Sequence, residues 1–316
     1  MMFRLVSFVL SLFAIAPVFA QLLQPESDTT SSIEAAIENI TITGQRPEGW
    51  SIQDYMLDFV GEIGDPASDS HGYARWRDKI CVSVHNLRNA QTAQYVADRV
   101  SAVALEVGLR PEEPGCTPDL SIIFTSDGAA LATSMVSTKR SAFRPYGGAG
   151  GTTQGLDALE KFATSDAPVR WWQVTMPVDR LGNIAVNVNR ADQGIPVVWS
   201  SGFLITKSIS DEVWATYVIV DITKIGNAGW EALADYVAMV SLAQVDPKGV
   251  PANYNSILNL FKTTNPAKGL TELDWTYLRA LYAMDTRRTP RMQRSLLAST
   301  MVLEQDRAAE KTVEPE

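Results

Sequence analysis

The chain has 316 residues, 46 % of them hydrophobic. That composition excludes a wholly disordered polymer and leaves enough apolar mass for one large domain or two. With 36 acidic against 27 basic residues the formal net charge is −9. This is the wrong sign for replacing phosphate counterions or docking on anionic lipid, and it argues against a nucleic-acid partner.

Residues 1–20 carry one cation, Arg4, then an apolar run, then small residues at Val18 and Ala20. That is the layout of a secretory signal peptide, and the run is shorter than the ~20 residues of a membrane-spanning helix. Removing these 20 residues, Arg4 among them, leaves 296 residues and moves the net charge from −9 to −10. No later stretch is apolar enough to span a membrane, so the mature chain is expected to be exported, to the periplasm or outside the cell. Residues 21–49 are polar and read as a flexible lead with one short strand at 40–43. Asn39, Ile40 and Thr41 match a glycosylation sequon, a pattern of low specificity.

Ser51 can cap a helix over 51–63, in which Tyr55, Phe59 and Ile63 share one face. Residues 80–84 then read as a strand. A helix over 89–107 places Ala93, Val96, Val100, Val103 and Val107 together and stops at Gly108. Residues 120–124 form a second strand, which completes a βαβ unit with parallel strands. Cys81 and Cys116 are the only cysteines. In an exported chain they are expected to form a disulfide closing a loop of 36 residues, counting both.

Of the two histidines, His71 sits in a turn and His85 ends a strand, with no metal-site spacing between them. No metal or cofactor is expected. Residues 127–138 look helical. The Gly-rich run 145–155 lacks the Lys-Ser/Thr of a P-loop and the third glycine of a dinucleotide fingerprint, so it reads as a surface loop. After a short helix at 156–163 come strand-like runs at 169–176, 184–188, 203–206 and 214–223. The first holds Trp171 and Trp172, which could line a ligand groove or simply pack in the core. Helices are expected at 228–245, 255–261, 272–283 and 290–304, with a charged, disordered tail from Gln305.

Residues 214–282 carry a long strand (ATYVIVDITKI), a helix (WEALADYVAMVSLAQVD), the turn Ser256-Ile257-Leu258 and a final helix (LTELDWTYLRALY). In this order the chain resembles the secreted zincin-like metallopeptidases, and above all the uncharacterised exported bacterial members of that group. The resemblance implies a zincin-like topology and a helix bearing H-E-x-x-H-x-x-G-x-x-H. Here Ala234 stands at the first His position, Asp235 at the Glu, Ala238 at the second His, Ser241 at the Gly and Gln244 at the last ligand. Leu258 replaces the Met of the turn. Alanine has no electron pair for zinc, and Asp235 has no metal-bound water to activate. With Ser241 for Gly, the helix is expected to run on to Val245. On the bland reading, Trp230, Leu233, Val237 and Val240 are the core face of a buried helix.

The expected fold is α/β (α+β), with a βαβ-containing mixed sheet over 50–225, a helical C-terminal part over 226–304 and a tail over 305–316. The absent ligands favour a non-catalytic zincin-like protein, a pseudoenzyme serving as a binding or interaction module of the cell envelope. Its partner is an unknown protein, peptide or polymer. The alternatives are a hydrolase using carboxylates such as Asp221, Asp235 and Asp246, with or without Ca²⁺, and a structural envelope protein with no small ligand.

Overall fold

The computed structural model describes residues 46–64, 72–145, 154–184, 209–249 and 251–313. The leader, the lead segment with its sequon, His71, residues 146–153 of the Gly-rich run and the runs expected at 185–188 and 203–206 lie outside them.

The first helix, α1 (Ile52–Ile63), starts at a reciprocal capping box. The Ser51 hydroxyl accepts the Asp54 amide, and the Asp54 carboxylate accepts the Ser51 amide. The strand expected at 80–84 is two pieces, β1 (Lys79–Ile80) and β2 (Val82–His85), because the chain breaks at Cys81. There the Cys81 amide turns to the Asp119 carboxylate. Helix α2 (Ala90–Glu106) is capped by Asn89 and buries Val96, Val100 and Val103, and Gly108 follows it at φ +88°, a conformation glycine tolerates best. After β3 (Arg110–Pro111), β4 (Leu120–Thr125) alternates between buried and half-buried positions. Then come α3 (Gly128–Thr138), α4 (Arg140–Phe143), α5 (Leu156–Thr164), β5 (Val169–Val178) and β6 (Ser210–Asp221).

The main sheet has the order β2-β4-β6-β5. The first three strands are parallel, and β5 runs antiparallel to β6 with an irregularity between Val174 and Thr175. The sheet is therefore mixed and contains the expected βαβ unit. β1 and β3 form a separate parallel pair. Cys81 and Cys116 are joined as a disulfide, with their Cα atoms 6.1 Å apart.

Strand periodicity divides the core. Leu120, Ile122, Phe124, Val169, Trp171, Val218 and Val220 face one layer with α1, α2 and the C-terminal helices. Trp172, Val174 and Ile219 face the other, under α3, α4 and α5. The larger cluster takes residues from both sides of position 225.

The C-terminal helices are α6 (Trp230–Leu242), α7 (Glu272–Ala283) and α8 (Pro290–Val313). α6 is buried from Ala232 to Leu242, all round rather than along one stripe, while Trp230 at its start stays 41 % exposed against Phe124. It ends at Leu242 instead of continuing to Val245. Ala243 is extended, and Gly64 and Val245 form an antiparallel bridge. The carbonyls this leaves open are taken by side chains. Gln173 Nε2 donates to Val240, Ser241 and Ala243, Trp76 Nε1 to Ser241, and the Tyr282 hydroxyl to Leu242.

Gln173→Met keeps the volume and removes the donor. It is expected to cost about 1–3 kcal/mol, read as a lower midpoint in thermal or urea unfolding. An unchanged midpoint would mean that the α6 carbonyls have other donors.

The helix expected at 255–261 is only a 3-10 turn, Ile257–Asn259. The fully buried Asp274 pulls the chain out of helical geometry by accepting from the Ser256 hydroxyl and the Ile257 amide. α8 runs on to Val313, past the fraying expected at Gln305, with an Arg307–Glu304 ion pair on its surface. Among the described residues no helix is long and apolar enough to cross a membrane.

Candidate ligand-binding cavity

A cavity of about 820 Å³ wraps the start of β5. α5 forms one wall through Ala158, Lys161 and Phe162. The segment after α6 (Asp246, Pro247, Lys248) and the 3-10 turn with its continuation (Leu258, Phe261, Lys262) form the other. Val169 to Trp172 are the floor, and Tyr236 reaches in from α6.

Trp171 and Trp172 point to opposite faces of the sheet, yet both border the cavity, because it passes around the strand. Trp171 Nε1 donates to the Val245 carbonyl at 3.2 Å, and Trp172 Nε1 to that of Phe143 at 2.9 Å. With their polar atoms satisfied, the indoles offer a ligand only π surface. Aromatic contacts extend the lining on both sides. Trp171 and Tyr236 lie 6.2 Å apart, Tyr236 and Phe261 5.1 Å, and Phe162 and Trp172 6.1 Å. Burial pushes the Tyr236 hydroxyl far above the usual phenol range, so it stays protonated.

The charges on the lining are four cations, Lys161, Arg170, Lys248 and Lys262, and two carboxylates, Asp157 and Asp246. Lys262 donates to the Gly249 carbonyl, and burial lowers its pKa. The neighbouring Lys248 lowers the pKa of Lys161. Arg170 is 3 % exposed; its Nε and Nη1 have no hydrogen-bond partner, and burial lowers its pKa against the attraction of Asp221.

Of the positions matched to zincin metal chemistry, only Leu258 borders the cavity. Ala234 and Ala238 are core. Ser241 is fully buried at the end of α6, and Gln244 Oε1 accepts the Ala74 amide. Asp235 is held by a bidentate pair from Arg99, Nε to Oδ1 at 2.5 Å and Nη2 to Oδ2 at 3.0 Å, and it also accepts the Leu270 amide at 2.8 Å. These bonds fix its carboxylate as a brace between α2, α6 and the approach to α7.

The carboxylates of the hydrolase alternative do not share the cavity. Asp246 borders it, but Asp221 does not and instead accepts from Gly128 and Thr223. Exposed His85 lies 2.8 Å from the Ser83 hydroxyl, and among the described residues no carboxylate is bonded to it as the third member of a triad. Among the described residues no three His, Cys, Asp or Glu side chains cluster as a metal site would need.

The tryptophans were visible in the sequence as a pair; Lys161, Lys248, Lys262, Phe162, Tyr236 and Phe261 were not. Arg170 alone left a signal, a cation inside the apolar run VRWWQV. No protein-family model matches this chain, and neither a curated protein nor a solved structure matches it.

Proposed function

We propose that the chain is an exported binding module, a zincin-like scaffold without catalytic ligands, whose cavity around β5 takes a small, largely apolar molecule. The observation that carries this reading is the cavity itself. Its volume lies within the range of roughly 300–1,000 Å³ typical of small-molecule sites, and its lining combines aromatic surface with a few charged groups. Export is supported by the leader-like residues 1–20 together with the disulfide. The scaffold reading is supported by the succession of strand β6, buried helix α6, the turn at Ser256 to Leu258, and α7. The side chains at the matching positions lack metal-binding groups or are engaged in structural bonds.

The test uses N-phenyl-1-naphthylamine, an uncharged probe that fluoresces on leaving water. The expected result is saturable uptake of about one probe per chain, with energy transfer from tryptophan. Ala158→Trp, placed on the cavity wall, should abolish it without lowering the melting temperature. Non-saturable uptake, or uptake indifferent to Ala158→Trp, would remove the cavity as the site.

A further inference from the structure

We propose that the ligand of this cavity carries an oxyanion head, a carboxylate, sulfonate or phosphate ester, which docks against Lys161 and Lys248 with Lys262 beside them. This rests on the cavity being a ligand site and adds the chemical class of the ligand.

The argument begins with placement. The protein is strongly acidic overall, yet three of its lysines meet at the rim of one aromatic-walled space. Among the other described lysines, Lys79 pairs with Glu112 at 2.7 Å and Lys224 with Asp166, while Lys139 and Lys268 make no ion pair. Among the described residues none of the three rim lysines lies within ion-pairing distance of a carboxylate, although Asp157 and Asp246 are close enough to be felt. Asp157 stands one turn from Lys161 on α5, the spacing at which helix ion pairs form, and no pair is made.

Instead Lys161 has Lys248 for its neighbour, and the two ammonium groups repel. The third ammonium is spent partly on a backbone carbonyl. Local backbone geometry presents Lys248 to this rim: its amide donates to the Asp246 side chain at 2.8 Å in a tight turn. The lining holds four cations against two carboxylates, and the excess positive charge is what an anionic ligand would complete; the aromatic lining beside it suits the apolar body of such a molecule. The ligand is therefore an amphiphilic acid, with its head at the lysines and its body along Phe162, Trp171 and Phe261.

Two dyes with the same ring skeleton separate this inference from the reading beneath it. 1-Anilinonaphthalene-8-sulfonate carries a sulfonate; N-phenyl-1-naphthylamine does not. At low salt the sulfonate is expected to bind about tenfold more tightly or better, with the preference shrinking as salt screens the rim. Lys161→Gln with Lys248→Gln should bring the two affinities together while leaving that of the neutral dye within about twofold. Equal affinities in the unaltered protein would overturn the anion assignment and leave the cavity reading standing. A preference that survives the double substitution would overturn the assignment to these lysines. Failure of both dyes to bind would sink the cavity reading and this one with it.

Discussion

Arg99→Met alone is expected to destabilise the protein by about 3 kcal/mol, and the further change Asp235→Leu should restore part of that loss. The asymmetry follows from burial. The Asp235 side chain is 2 % exposed, while that of Arg99 is 32 % exposed. Removing the arginine strands a carboxylate that water cannot reach, with the Leu270 amide as its remaining donor. Replacing both partners removes the stranded charge and leaves the unpaired amide as the main residual cost. Asp235→Asn should fall between, because an amide oxygen can still accept one bond.

Urea unfolding of the unaltered protein, Arg99→Met, Asp235→Leu and the double variant gives the cycle directly. Equal losses in the single and double variants would mean that Arg99 acts through its aliphatic packing instead of its charge. The same series separates two roles for Asp235. A residual general base would lose activity with an unchanged midpoint, whereas a brace between helices moves the midpoint.

The sequence shows most clearly those elements whose signals are local. α1 and α7 begin at the residues where Ser51 and Thr271 stand, because each forms its capping box within four residues. α2 shows its buried stripe in the spacing of its valines. The misplaced boundaries have distant causes. α6 stops at Leu242 because Trp76, Gln173 and Tyr282, far away along the chain, supply donors for its last carbonyls. Apolar spacing alone would continue that helix. Residues 255–261 have helical composition, but Asp274 from α7 fixes the turn before a helix can form.

The cavity was legible only through Trp171 and Trp172. Its cations come from α5, from β5 and from the segments that follow α6, and no spacing links them. Only the return of the chain past the edge of β5 brings them together. Asp235 shows the opposite failure. Its position along the helix suggests catalysis, while its partner Arg99, on another helix, reveals a structural bond.

Replacing both cysteines by serine is expected to lower stability by as much as about 4 kcal/mol, the chain entropy released when a loop of this length is opened in the unfolded state. The cysteines stand 35 positions apart, and the loop they close contains β2, α2 and β3. β2 pairs in parallel with β4 just beyond the loop, a contact the open chain must find across the whole α2 crossover. The bridge shortens that search at the seam where the pairing begins. The Cys81 carbonyl there accepts the amides of Asp119 and Leu120.

The effect should therefore appear in the unfolded state more than in the folded one. Spectra of the native protein should be unchanged, the urea midpoint should fall, and the slope of unfolding should rise as the unlinked chain exposes more surface. Reduction of the unaltered protein under mild denaturation should reproduce the serine variant. A midpoint indifferent to both changes would mean that the bond adds nothing to stability.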